Sequence, residues 1–141
     1  MSLKIRLATK KDCKRCAELS KIAELKPTIG GYITPNYFKN FVDKDKMFFV
    51  AEENNEVLGY ILGEPLKGKL ALLGLLSVDK KARDKGIGRK LVETFRRRCK
   101  QKKLTYTLIY APSFNKKTID FYKKCGFKKG KEHVNFAETT E

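Results

Sequence analysis

The chain has 141 residues, 41% hydrophobic and 34% charged, which suits a single domain over residues 1–141 with a core that needs no disulfide or metal staple. Its longest uncharged apolar run, residues 70–76, is well short of the ~18 residues of a membrane span, and Lys4, Arg6, Lys10 and Lys11 interrupt any apolar leader. With 32 Lys and Arg against 16 Asp and Glu, the sequence excludes a membrane protein, a collagen-like repeat and a disordered chain, and points to a soluble cytoplasmic domain.

Lys4-Ile5-Arg6-Leu7 alternates as a first strand. Thr9 is a cap for a helix carrying Cys13, Cys16, Ala17, Leu19, Ile22 and Leu25, which Pro27 and Gly30-Gly31 end. Thr34-Pro35 opens a short helix through Tyr37, Phe38 and Phe41. Residues 47–53 and 56–64 form a hairpin about Asn54-Asn55, and Lys67-Gly68-Lys69 turns the chain again. Residues 70–78 are apolar on both faces and read as a central strand. A helix runs from about Ile87 to Lys102, with Ile87, Leu91, Val92, Phe95 and Cys99 as its apolar stripe. Residues 104–111 read as a fifth strand. Asn115 starts a helix to Cys125, capped by Gly126, and Phe127 begins a last extended segment containing Val134 and Phe136. The order β-α-α-β-β-β-α-β-α-β predicts an α/β fold, one mixed sheet with helices packed on it.

The charge is unevenly placed. Residues 80–131 hold 19 basic and 3 acidic side chains, whereas residues 132–141 hold three acids and no Lys or Arg. Such a field attracts anions, including nucleic acid or a polyphosphate ligand. The four cysteines, Cys13, Cys16, Cys99 and Cys125, include one Cys-x-x-Cys pair. With His133 as the sole histidine, they lack a zinc set and read as free, mostly buried thiols, so no metal is expected.

The run Val78-Asp79-Lys80-Lys81-Ala82-Arg83-Asp84-Lys85-Gly86-Ile87-Gly88-Arg89 joins the central strand to a helix. A helix N-terminus offers unpaired N–H groups and partial positive charge. Gly86 and Gly88 admit a phosphate close to the backbone, and Arg83, Lys85 and Arg89 add charge around the mouth. The run reads either as a pyrophosphate cradle or as a glycine-containing loop that merely turns the chain, and it is not a mononucleotide P-loop or dinucleotide fingerprint, whose glycine spacings are absent. Downstream, Asn115, Thr118 and Tyr122 lie at i, i+3 and i+7 on one helix face, a polar line suited either to an extended ligand or to a surface cap and a packed tyrosine.

Together these segments resemble the GNAT superfamily of acyl-CoA-dependent N-acetyltransferases. The motif Arg/Gln-x-x-Gly-x-Gly/Ala is met by Arg83, Gly86 and Gly88. The signature Asn-x-x-Ala-x-x-Phe-Tyr-x-x-x-Gly-Phe is met by Asn115, Phe121, Tyr122, Gly126 and Phe127, with Thr118 where Ala is usual. The resemblance is specific over residues 70–130. It implies a GNAT-like fold, a central mixed sheet flanked by about four helices, and acetyl-CoA as co-substrate with no metal. It implies that Leu76, Ser77 and Val78 lie on a splayed strand that pairs with the pantetheine arm, and that Asp84, Lys85, Gly86, Ile87, Gly88 and Arg89 present amides to the pyrophosphate. Asn115 would hydrogen-bond the pantetheine, and Tyr122 would protonate the departing thiolate. A phenol of pKa ~10 is a suitable acid for a thiolate of ~8.5.

The implied reaction is transfer of an acetyl group to a primary amine, protein-borne or small, by direct attack in a ternary complex. Residues 71–78, where many members carry a glutamate base, hold no acid. Glu64 is the candidate base instead, with Tyr110 on the fifth strand a second candidate and Glu52 and Glu53 weaker ones. The acceptor is expected against residues 28–34, with Gly30 and Tyr32 as contacts. The absence of clustered acids there leans against polycations. The alternatives are a basic nucleic-acid-binding module using residues 87–103 and a catalytically silent CoA-binding domain. Monomer and homodimer are both compatible with the sequence.

Overall fold

A computed structural model describes residues 2–23, 25 and 30–140. Five strands lie in one sheet in chain order: β1 (Lys4–Leu7), β2 (Phe48–Glu53), β3 (Glu56–Leu66), β4 (Leu70–Val78) and β5 (Tyr106–Ile109). The first four pair antiparallel, and β5 pairs parallel to β4. Four helices accompany them: α1 (Cys13–Ile22), α2 (Pro35–Lys39), α3 (Ile87–Gln101) and α4 (Lys116–Lys124). This is the mixed α/β architecture the sequence predicts.

Strand alternation divides the core into two layers. Phe49, Ile61 and Leu73 face α3, where they meet Ile87, Leu91, Val92, Phe95 and Cys99. Phe48, Tyr60 and Leu62 face the other way, against Cys13, Cys16 and Leu19 of α1 and Phe38 of α2. Gly63 lets α3 approach the sheet, since a Cβ there would stand 2.1 Å from the Phe95 ring. Asn54 and Asn55 both take positive φ, the requirement of the tight β2–β3 hairpin.

Several boundaries differ from the sequence reading. The chain after Thr9 makes a 3₁₀ turn (Lys10–Asp12) before α1 begins. Its geometry is set by Asp12, whose carboxylate accepts the Thr9 amide at 2.7 Å and pairs with Arg6 at 2.8 Å. Arg6 also bonds Glu52 at 2.9 Å, tying β1 to β2 and to the start of α1. Helix α1 ends at Ile22, before Leu25, and the proposed breaker Pro27 lies outside the described residues. Strand β5 is shorter than residues 104–111. The Leu104 amide is taken by the Cys99 carbonyl at the end of α3, and the Thr105 amide by Lys69 in the β3–β4 turn.

The last extended segment does not form a strand. Among the described residues no regular element follows Lys124, and Val134 and Phe136 lie exposed. The reason is local: Lys128-Lys129-Gly130-Lys131 offers no apolar face, and two alternating apolar residues bury too little to hold a strand without a partner.

Candidate active site

Strand β4 carries one residue more than its partner β3. Leu62 pairs with Leu75 and Gly63 with Leu73, so Gly74 is the bulge. On its other side β4 pairs with β5 only through Leu70, Ala71, Leu72 and Leu73. From Gly74 to Val78 the strand is therefore paired on one edge and open on the other. Leu76, Ser77 and Val78 all lie on this open stretch, where the sequence reading places a splayed strand. Leu76 and Val78 pack toward α3, while buried Ser77 donates to the Leu19 carbonyl of α1 at 3.2 Å. Gly74 was not singled out from the sequence. An isolated glycine within an apolar strand is the signal that finds it.

The loop after β4 is held at its base and free at its tip. Asp79 accepts the Lys81 amide at 3.1 Å, capping a 3₁₀ turn (Lys80–Ala82), and its carboxylate pairs with Arg15 of α1. Burial works against that carboxylate's charge. The Lys81 amide and Arg15 nevertheless hold its pKa below the ordinary aspartate value. Beyond the turn, none of the amides of residues 84–89 donates to a described residue, and the first helical bond of α3 is Lys90 N–H to the Gly86 carbonyl at 3.1 Å. Asp84 and Gly86 both take positive φ, which turns successive amides toward one side. Six amides thus stand without a described acceptor at and just before the N-terminus of a fifteen-residue helix, anchored by buried Ile87. The residues fit an anionic group.

The two glycines play different parts. A Cβ on Gly86 would meet nothing within 4 Å, and its φ of +78° is what favours glycine there. A Cβ on Gly88 would stand 3.2 Å from the Phe121 ring, so Gly88 serves the contact between α3 and α4 rather than phosphate approach. The basic residues divide similarly. Arg83 folds back to the Val78 carbonyl at 3.2 Å, and Arg89 reaches the Lys124 carbonyl at 3.4 Å, closing α3 onto α4. Lys85 is exposed, with no partner among the described residues.

At the start of α4, Asn115 Oδ1 accepts the Thr118 amide at 3.1 Å. Asn115 is therefore a helix cap first, with its amide NH₂ left to donate elsewhere. Tyr122 is wedged between Phe121 and Phe127, with ring centroids 5.3 and 5.9 Å apart in edge-to-face geometry. Its hydroxyl bonds no described residue, and burial, with a smaller push from Cys125, raises its pKa above that of an ordinary tyrosine. It is a phenol kept protonated.

The parts of the candidate site are an opened parallel pair of strands, a run of unbonded amides at the start of α3, and a buried tyrosine on α4, the helix whose Phe121 lies against Gly88. The chain also matches the sequence profile of the acetyltransferase (GNAT) family over residues 11–127. It belongs to the GNAT family. Solved structures agree on the fold. Ard1 from Thermoplasma volcanium superposes with a TM-score of 0.81 at 23% identity, covering 91% of this chain and 84% of that one. The aminoglycoside acetyltransferase meta-AAC0020 from an uncultured soil metagenomic sample, in complex with trehalose, gives 0.78 at 20% identity over 99% and 97%. Diaminobutyrate acetyltransferase EctA from Paenibacillus lautus, in complex with L-2,4-diaminobutyric acid and coenzyme A, gives 0.75 at 14% over 87% and 74%. A search of curated proteins finds no match.

In this GNAT domain Glu64, Glu52, Gly30 and Tyr32 lie on or near the α1/α2 side. Alternation from Tyr60 and Leu62 puts Glu64 on that face, opposite Leu72 across the β3–β4 pair. Tyr37 of α2 lies near it: burial, and then the Glu64 charge, raise the Tyr37 pKa. Tyr37 was not picked from the sequence, because its pairing with Glu64 depends on how α2 docks. Glu52 is engaged by Arg6. Tyr110, just past the end of β5, is 66% exposed and has no hydrogen-bond or ring partner among the described residues, so the structure gives it no defined place in the site. Gly30 takes positive φ beside open space, and Tyr32 stands 5.6 Å from the Lys21 ammonium. Thr28 and Ile29 of the expected acceptor loop lie outside the described residues. All four cysteines are free and buried. No cluster of metal ligands occurs among the described residues, and no described helix is long and apolar enough to cross a membrane.

Proposed function

We propose that this GNAT domain transfers the acetyl group of acetyl-CoA to a primary amine by direct attack in a ternary complex. The observation that carries the reading is the run of six unsatisfied amides, residues 84–89, standing beyond the open edge of β4. A pyrophosphate suits the amides, and an amide-bearing arm suits an open strand edge. Lys85 and the surrounding lysines suit the 3′-phosphate. Asn115, whose Oδ1 is taken by the Thr118 amide, would offer its NH₂ group to the same arm.

The cradle and Tyr122 are on the α3 side of the sheet, and Glu64 is on the α1/α2 side. The gap between β4 and β5 is what can connect them. In the proposed reaction a neutral amine attacks the thioester carbonyl. The C–N bond forms, the C–S bond breaks, and the departing thiolate takes the Tyr122 proton. The proton lost by the amine passes toward Glu64 through solvent, and solvent restores Tyr122. The acceptor meets the α1/α2 face near Gly30 and Tyr32.

Calorimetric titration with acetyl-CoA and with 3′-dephospho-acetyl-CoA tests the first half. Binding that weakens without the 3′-phosphate is the expected result, followed by a screen of peptide and small amines for transfer. Failure of both ligands to bind overturns the reading. Binding without transfer to any amine would leave a silent CoA-binding domain.

A further inference from the structure

Three segments meet at the end of the sheet opposite the cradle. They are the loop before β2 (residues 43–46), the β3–β4 turn (residues 67–69) and the connection from α3 to β5 (residues 102–105). Arg98, near the end of α3, donates to the Lys46 carbonyl at 2.7 Å, and the Thr105 amide donates to the Lys69 carbonyl at 2.8 Å. The fold thereby gathers Lys44 and Lys46, Lys67 and Lys69, and Lys100, Lys102 and Lys103 on one exposed end. None of these lysines pairs with a carboxylate among the described residues. The acids within these segments are Asp43 and Asp45.

The backbone under the lysines is unusual. Eight described non-glycine residues take positive φ, and five of them are Asp or Asn, whose short polar side chains suit that conformation. The other three are Lys46 (φ +53°), Lys69 (φ +61°) and Lys103 (φ +59°), one in each segment. A charge that only keeps the surface soluble has no need of such positions, where glycine or asparagine is the easier residue. Strain kept at three neighbouring places points to a use for the cations. Lys100 complements the C-terminal dipole of α3, but Lys44, Lys46, Lys67 and Lys69 lie on other elements. Nor does the co-substrate account for them. The cradle is the length of α3 away, fifteen residues or about 22 Å. That is more than twice the screening length of about 8 Å at physiological salt.

We propose that this end of the domain binds a single nucleic-acid strand along its phosphate backbone, apart from the co-substrate site. A chain of phosphates has the charge density to meet cations spread over three segments. The segments run across the sheet from β2 to β5, three spacings of ~4.8 Å or roughly 14 Å, the reach of a few nucleotides. Tyr106, next to Thr105 and opposite Leu70, is 61% exposed. An exposed aromatic among cations gives a base a ring to stack on, which favours a single strand over a duplex. The lysines stand on turns and not along one face of an amphipathic helix, which disfavours a membrane surface.

Fluorescence anisotropy with a labelled oligouridylate, between about 50 and 200 mM salt, tests the proposal without reference to activity. The triple variant Lys46→Asn, Lys69→Asn, Lys103→Asn removes three cations and gives each position an easier residue. It should keep or raise the thermal midpoint. The slope of log K against log salt should become shallower by about 2, at ~0.7 for each phosphate contact of a single strand. A matched triple on the turn after β4 and on α4, Lys80→Asn, Lys117→Asn, Lys123→Asn, should leave the slope nearly unchanged. Tyr106→Ala should weaken the strand about fivefold or more with little change in slope. Absence of binding at about 50 mM salt overturns the proposal. So does a first triple that binds as tightly as the parent. Equal losses in the two triples would show net charge acting without a site. A duplex held as tightly as the strand, with no effect of Tyr106→Ala, would remove the single-strand reading. Capture by phosphatidylserine vesicles but not by the oligonucleotide would assign the surface to a membrane. Each of these three results equally overturns it.

Discussion

The two sides of the sheet build their halves of the site from different materials. On the α3 side the groups that the proposed function uses to bind the co-substrate are backbone: the open edge of β4 from Gly74 onward and the free amides of residues 84–89. On the α1/α2 side they are side chains, Glu64, Tyr37 and Tyr32, carried by a strand, a short helix and a loop that meet only in three dimensions. A backbone site is written locally, in glycines and a strand-to-helix junction. A side-chain site is written in whatever the fold brings together. The contrast also sorts the variants, since changes on the first side should alter co-substrate affinity and changes on the second should alter turnover with a given amine.

Tyr122→Phe gives the largest effect and tests the one side chain that the proposed reaction uses on the α3 side. Removing the proton donor should lower kcat by on the order of 10²-fold or more, with acetyl-CoA affinity nearly unchanged. The phenol is held above its ordinary pKa of ~10, so it should supply its proton throughout neutral and mildly alkaline pH. Loss of activity below about pH 9 must then come from another group. Equal falls in kcat and in calorimetric affinity would make Tyr122 part of the binding wall rather than the acid. The expected effect of Glu64→Gln is smaller, on the order of tenfold in kcat/KM, again with unchanged acetyl-CoA affinity. Tyr110→Phe should change neither.

The paired glycines sharpen the comparison within one side. Gly86→Val puts a branched side chain at φ +78° and into the space left for the ligand. Calorimetry should show acetyl-CoA binding weakened by about tenfold or more, as expected for a blocked approach. Gly88→Val instead presses on Phe121. It should lower the thermal midpoint, at a cost of about 1–3 kcal/mol, before it changes the cradle. The same loss of affinity in both variants at equal stability would erase the distinction.

How far the sequence could be read follows the same division. The nine-residue β4, the loop, and the start of α3 at Ile87 were all legible, because apolar runs, glycines and helix starts are local signals. The Asn115 cap was legible too, although its first duty proves to be to Thr118. The special character of Gly88 was not, because Phe121 is thirty-three positions away in sequence. Nor were the nearness of Glu64 to Tyr37 and the tie from Arg15 to Asp79, which depend on how α1 and α2 settle on the sheet. The last strand was over-read. Val134 and Phe136 have the right spacing, but spacing alone supplies no neighbouring strand.

Asp79 offers the smallest and most direct test of whether the two sides act separately. Its carboxylate joins Arg15 of α1 to the turn that launches the cradle. Its folded pKa lies below the aspartate reference, so its contribution is fully present above the unfolded pKa of ~3.9 and is lost as pH falls through the folded value. Asp12, bonded to Arg6 and Thr9, behaves in the same sense. Asp79→Asn should therefore cost about 1 kcal/mol at neutral pH, and thermal melts of variant and parent should converge as the pH falls through the folded value. The informative measurement is acetyl-CoA affinity at neutral pH. A two- to threefold loss, equivalent to under about 1 kcal/mol, would mean that the acceptor-side helix helps to set the cradle. Unchanged affinity with the expected drop in stability would mean that residues 84–89 hold their shape without α1, and that the backbone half of the site is independent of the side-chain half.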